Sequence, residues 1–168
     1  MSFLDWGPLG RIRRNHALEH ASLQVLVKRN PHLRAAGYSD AGGFWIVGDV
    51  PSEVLAAAVN EALARLEGGE RGLAIHPNCG TNYAAAGLLA GTAAWLATLN
   101  TSGDWRQRLD RWPMLITLVT LAFILAQPFG PLLQARVTTD GRPNGLTVTS
   151  IQRRSDGKLP IHRILTKS

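Results

Sequence analysis

The sequence predicts an α+β protein, in which a small mixed helix and sheet domain is interrupted by a transmembrane helical hairpin. Residues 83–100 and 113–135 contain no Asp, Glu, Lys, Arg or His, whereas the rest of the 168-residue chain is rich in charge. Helical periodicity and one hairpin pattern precede these runs, and Val-, Thr- and Ile-rich segments follow them. We therefore expect residues 1–82 to form an N-terminal αββαβ part, 83–133 the hairpin, and 134–168 the strands that complete the sheet.

The composition argues against two classes of protein. The net charge is +6, but no aromatic and basic recognition motif accompanies it, so we do not expect nucleic acid as a partner. A single cysteine allows no internal disulfide and does not suggest a secreted scaffold. Residues 1–10 lack a basic stretch followed by an apolar run, so no cleavable signal peptide is expected. Basic residues near membrane spans would instead meet the headgroups of a lipid bilayer.

The first helix is predicted to run from Arg11 to Lys28 or Arg29, and it carries the segment His-x-x-Glu-His. Pro31 ends it, because the residue before a proline disfavours helical geometry. His16 and His20 lie four positions apart, so their rings share one helix face and can reach one metal ion.

Glu19 lies at the edge of the same face, where its carboxylate could take a proton from a metal-bound water. The spacing resembles the motif of the inverted-zincin metallopeptidases. That resemblance implies hydrolysis of a peptide bond by zinc chemistry. The chain departs from those peptidases because it is much smaller and offers no evident glutamate ligand on a second helix.

A hairpin and a second helix are expected next. Two apolar runs flank the turn at residues 40–43, and Ser52 is a candidate cap for a helix through Leu66 that ends at Gly68. Residues 73–76 are expected to form a short strand. His76 and Cys79 then fall in a loop just before the first uncharged run, and both are competent zinc ligands.

The two uncharged runs are predicted to be membrane spans over residues 83–99 and 113–133, with Pro128 and Pro131 kinking or ending the second. A polar loop is expected between the spans at residues 100–112. Gly87 is expected on a small-residue face for helix packing.

The last part of the chain is expected to be β structure at residues 134–139, 145–153 and 158–166, with turns at Asp140 and Asp156. A two-span hairpin returns the chain to the side that it left, so these strands can join the earlier ones in one sheet. We therefore expect a multi-pass protein of the bacterial inner membrane whose folded domain faces the cytoplasm.

Two segments of the chain are considered together: residues 15–21 (Asn-His-Ala-Leu-Glu-His-Ala) and residues 76–82 (His-Pro-Asn-Cys-Gly-Thr-Asn). With both present, the chain resembles an uncharacterised family of small bacterial two-span membrane proteins. That resemblance would cover nearly the whole chain. It implies the layout just described and supplies no activity.

The expected function is that of a membrane-anchored, zinc-dependent hydrolase, a small metallopeptidase acting on a peptide or protein substrate. Zn²⁺ would be held by His16, His20 and either His76 or Cys79, with Glu19 as general base.

Three alternatives remain open. In the first, all four ligands close a structural metal site in a non-catalytic subunit that packs against a partner membrane protein or a second copy. In the second, no metal binds, and the histidines satisfy one another's hydrogen-bonding groups. In the third, His20 assists Cys79 as a nucleophile, although no orienting group for that pair is visible.

Overall fold

The computed structural model describes residues 3–99, 105–155 and 159–168 of the chain. Its internal contacts divide the chain into two units, of which the first comprises Met1–His76 and Gln134–Ser168 and the second Pro77–Leu133. The first unit is therefore built from chain on both sides of the second.

Helix α1 of the first unit spans Gly7–Arg29 and begins four residues before the predicted start. Pro8 lies in its first turn, where a missing backbone N–H costs nothing. The helix ends at Arg29 as expected, with Lys28 and Arg29 in the last turn and Asn30 as the C-cap. Its buried face includes Leu18, Ala21 and Val25, which join the core.

A four-stranded antiparallel sheet with the order β1-β2-β4-β3 packs against this helix. Strands β1 (Ala35–Asp40) and β2 (Gly43–Gly48) form the predicted hairpin. Strands β3 (Thr147–Ser155) and β4 (Ile161–Lys167) confirm the expectation that the end of the chain joins it, since β4 pairs with β2. The turn predicted at Asp156 lies outside the described residues.

Helix α2 (Ser52–Glu67) ends at Gly68 as predicted and completes the core. The predicted capping role of Ser52 is wrong, because no side-chain cap bond forms and Pro51 occupies the cap position. The Ser52 hydroxyl instead lies 3.0 Å from Nε2 of His162. The side chains of the core that are almost completely buried include Phe44, Ile46, Leu55, Leu146 and Ile164.

Two segments expected as strands are helical turns instead. Arg71–Ala74 is a 3₁₀ helix, so the strand predicted at residues 73–76 is wrong. Gln134–Thr138 is a π-helical turn, so the strand predicted at residues 134–139 is also wrong. In both segments, side chains of helix α1 bond backbone carbonyls. Gln24 donates to the carbonyl of Leu73 in the first segment, and Arg13 and His16 bond those of Arg136 and Thr138 in the second.

The second unit contains helices α3 (Gly80–Thr98), α4 (Trp105–Asp110) and α5 (Trp112–Leu133). The predicted polar loop is therefore partly wrong, since α4 occupies residues 105–110, and residues 100–104 lie outside the described part. A Cβ on Gly130 of α5 would lie 2.5 Å from Oδ1 of Asn82, so α3 and α5 approach closely there. A Cβ on Gly87 would meet nothing within 4 Å, so the predicted packing role of Gly87 is not seen.

In the described part of the chain, one helical stretch, Trp112–Thr138, is long and apolar enough to cross a membrane. It contains the predicted second span. Pro128 and Pro131 lie inside α5 and do not end it. Its apolar side chains are mostly exposed, among them Leu125 with 67% of its surface accessible.

Candidate metal centre

Two imidazoles stand next to each other on the buried side of α1. His16 and His20 lie one helical turn apart, and their ring centroids are 4.2 Å apart. His20 is almost completely buried and His16 is half-buried. The predicted common face is therefore realised in the geometry of the two rings.

Backbone carbonyl groups fix the tautomer of both histidines. Nδ1 of His16 lies 3.0 Å from the carbonyl oxygen of Thr138, and Nδ1 of His20 lies 2.7 Å from that of Ala74. A carbonyl oxygen only accepts, so each Nδ1 carries the proton and donates it. Nε2 is then the nitrogen with the lone pair in each neutral ring. A metal-ligating histidine commonly has this second bond from its other nitrogen.

Gln24 extends the row of polar side chains on α1, one turn beyond His20. Its Nε2 donates to the carbonyl oxygens of Leu73 at 2.9 Å and Ile75 at 2.8 Å. Three consecutive carbonyls, at residues 73–75, thus accept hydrogen bonds from one face of α1. The segment that orients His20 is itself held in place by Gln24.

His76 follows this segment, and its ring centroid lies 5.5 Å from that of His20. The side-chain amide of Gln134 clamps its backbone, since Oε1 accepts from the His76 N–H at 2.8 Å and Nε2 donates to the His76 carbonyl at 3.1 Å. Gln134 is completely buried. His76 therefore has a fixed backbone position beside the histidine pair.

Cys79 caps the N-terminus of α3, and its Sγ accepts a hydrogen bond from the backbone N–H of Thr81 at 3.4 Å. Such a donor at the positive end of a helix favours negative charge on the sulfur, which is the form that binds metals. His16 and His20 belong to the first unit and Cys79 to the second, and each offers one atom that can bind a metal ion.

The carboxylate of Glu19 is buried against the first strand of the sheet. Its Oε2 accepts a hydrogen bond of 2.5 Å from the hydroxyl of Ser39. A Cβ on Gly37 would overlap this carboxylate, so glycine is required there by the close approach of Glu19. The general base predicted from the sequence therefore has a defined pocket on β1.

The other two histidines lie elsewhere. His32 is exposed in the loop after α1. His162 lies on β4 and is completely buried. Burial, together with the positive charge of Arg153, holds the pKa of His162 below its usual value of 6.5.

Four residues of the site were not recognised from the sequence: Gln24, Gly37, Ser39 and Gln134. Gln24 could have been found, because it follows His20 at the same four-residue spacing that links His20 to His16. The other three come from distant parts of the chain, and their roles depend on tertiary contacts.

Comparison with known proteins gives a family and no activity. A family model described as a domain of unknown function, DUF6391, matches residues 11–151. An uncharacterized protein of Picosynechococcus sp. (strain ATCC 27264 / PCC 7002 / PR-6) is 34% identical over 158 residues, which cover 86% of this chain and 73% of that protein. No solved structure matches the chain. The expectation of an uncharacterised family is confirmed, and the chain belongs to the DUF6391 family.

Proposed function

We propose that this protein is a membrane-associated zinc hydrolase whose metal is held by His16, His20 and Cys79. The observation that carries the proposal is the matched tautomer of the two histidines. Each donates from Nδ1 to a backbone carbonyl, which leaves Nε2 as the ligand atom. Two imidazoles and a thiolate are ligands that zinc prefers.

Three protein ligands leave one coordination position for water or substrate, which is the pattern of catalytic zinc sites. A zinc ion there would polarise a carbonyl group and acidify a water molecule. Within the chain, Glu19 would accept the proton of the attacking water and return it to the leaving amine. Ser39 orients the Glu19 carboxylate for this role. The substrate class that follows is a peptide or protein.

Metal content tests the ligand set. Elemental analysis of purified protein should give close to one zinc per chain, and the metal should be lost in His16→Ala, His20→Ala and Cys79→Ser. His32→Ala is the matched control, because His32 is exposed and lies away from the pair. Absence of metal from unchelated wild-type protein, or its retention in all three ligand variants, would refute the site.

Catalysis needs a separate test on Glu19. Zinc-loaded protein would be screened against a fluorogenic peptide library, and an active substrate would be followed with Glu19→Gln. The variant should keep its zinc and lose cleavage by at least about a hundredfold, the usual contribution of a general base. Full activity in Glu19→Gln would remove the residue from the mechanism.

A second candidate function is a non-catalytic subunit with a closed structural metal site. The ring of His76 beside His20 favours it, as does the bond that Glu19 already makes to Ser39. In that case His76 is the fourth ligand and no position remains for water. Cobalt-substituted protein separates the two functions, because an added anion such as azide changes the visible spectrum only when a position is open.

The membrane topology belongs to the same proposal. We propose that α3 and α5 are two spans of the inner membrane, that the first unit faces the cytoplasm, and that small residues of α3 meet a second copy or a partner membrane protein. The exposed apolar surface of α5 supports the assignment of α5 as a span. Reporter fusions at the chain ends and between α3 and α5 would test the topology. In a two-span protein, both chain ends lie on one side of the membrane and the connection between α3 and α5 lies on the other.

A further inference from the structure

A second concave site lies in the first unit, apart from the proposed ligands. It is a cleft of about 360 Å³. Three arginines line it (Arg13, Arg71 and Arg142), together with Asp140 and the glycines Gly72 and Gly141. Its volume is within the range of small-molecule sites.

Arg13 forms a rigid wall of this cleft. Its Nη1 donates to the carbonyl of Leu4 at 3.2 Å and to Asp5 at 2.8 Å, and its Nη2 donates to the carbonyls of Arg136 at 3.3 Å and Thr139 at 3.1 Å. The side chain is 8% exposed. These four hydrogen bonds fix the guanidinium, so Arg13 adds positive charge to the wall of the cleft.

The charges around the cleft do not cancel. Arg13 pairs with Asp5 at 2.8 Å, and Arg142 pairs with Asp140 at 2.9 Å. Arg71 is exposed, and its guanidinium makes no ion pair with any residue that the structure describes. The cleft therefore carries one positive charge in excess, and Arg71 supplies it.

We propose that this cleft binds the phosphate group of a small molecule or of a lipid headgroup. Guanidinium groups offer paired N–H donors that match phosphate oxygens. Arg71 would bind the phosphate directly. The guanidinium groups of Arg13 and Arg142 already make hydrogen bonds within the protein, so they would add positive charge at the opening. A Cβ on Gly72 would meet nothing within 4 Å, so an oxyanion can come close to the backbone there.

The cleft borders the proposed metal centre without sharing its ligands. Ala74 lines the cleft, and its carbonyl accepts the hydrogen bond that orients His20. Thr139 also lines the cleft and follows Thr138, whose carbonyl orients His16. Phosphate binding does not require the metal, so this site stands independently of the proposed hydrolase.

The test is calorimetric titration of the full chain in detergent after removal of metal by a chelator, which prevents phosphate from binding to zinc. The two probes are inorganic phosphate and dihexanoyl phosphatidylglycerol. Arg71→Gln is the diagnostic variant, because Arg71 is exposed and its replacement spares the core. Arg34→Gln is the matched control, since Arg34 is an exposed arginine outside the cleft.

We expect at least one probe to bind the wild-type protein. The affinity should be about tenfold lower in Arg71→Gln, because one charge-assisted hydrogen bond is lost. It should be unchanged in Arg34→Gln. Binding of inorganic phosphate identifies a soluble ligand, and binding of the phospholipid alone identifies a headgroup. Equal affinity in wild type and Arg71→Gln overturns the proposal, as does the failure of both probes to bind.

Discussion

Gly37 and Glu19 fit together so closely that a methyl group on the glycine would occupy the space of the carboxylate. Gly37 on β1 therefore limits where the Glu19 side chain of α1 can lie. Ser39, two positions along the same face of β1, completes the pocket with its hydroxyl.

Gly37→Ala should destabilise the first unit by about 1–3 kcal/mol, because the added atom overpacks a buried contact. Combining it with Glu19→Ala should restore part of that loss, since the smaller side chain vacates the space. The measurement is a double-mutant cycle on denaturant midpoints. Strictly additive effects of the two substitutions would contradict the contact.

Gln24→Leu should weaken metal binding by about tenfold or more, although Gln24 is not a ligand. The change frees the carbonyls of Leu73 and Ile75, so the segment that orients His20 is less firmly held. Competition with a chromophoric chelator measures the affinity. Gln152→Leu on β3 is the control and should bind like the wild type. An unchanged affinity in Gln24→Leu would mean that the segment holds its position without this clamp.

His162 should make stability depend on pH below about 6.5. Its folded-state pKa is lowered by burial and by Arg153, so the unfolded chain takes up a proton first as the pH falls. Above pH 6.5 both states are neutral and the residue contributes no pH dependence. Stability is then lost as the pH falls from 6.5 towards the folded-state pKa.

Unfolding midpoints of metal-free protein at pH 7.5 and 5.5 test this expectation. His162→Gln should lose less stability between the two values than the wild type, whereas His32→Gln should behave like the wild type because His32 is exposed. An identical loss in all three proteins would assign the pH dependence to other groups.

Leu125→Arg should impair membrane insertion of α5. Leu125 is 67% exposed near the middle of the apolar stretch, and arginine at the centre of a span costs about 3 kcal/mol on insertion scales. Alkaline extraction of membranes should release more of this variant than of wild type. Leu109→Arg in α4 is the control, and equal retention of both variants would argue against α5 as a span.

The sequence predicted those parts of the molecule that depend on local pattern. The hairpin β1–β2, the row formed by His16 and His20, and the C-terminal strands follow from periodicity and turn residues. The 3₁₀ and π-helical turns could not be predicted in this way. Backbone carbonyls of these turns accept hydrogen bonds from Gln24, Arg13 and His16 of α1, and those bonds exist only after distant segments have packed.

The position of Glu19 was equally hidden from the sequence. The motif places the carboxylate near the histidine face, but its contact with Gly37 and Ser39 depends on how β1 packs against α1. The sequence therefore predicts candidate ligands, and the residues that support them depend on tertiary contacts.

The strand order β1-β2-β4-β3 also bears on biosynthesis. During translation, β2 emerges from the ribosome long before its neighbour β4, because α2, the second unit and β3 lie between them in the chain. Until then one edge of β2 has exposed backbone donors and acceptors, and such an edge can pair with the wrong strand. Pairing of β4 with β2 removes this exposed edge, and it is a late, non-local step in the folding of the nascent chain.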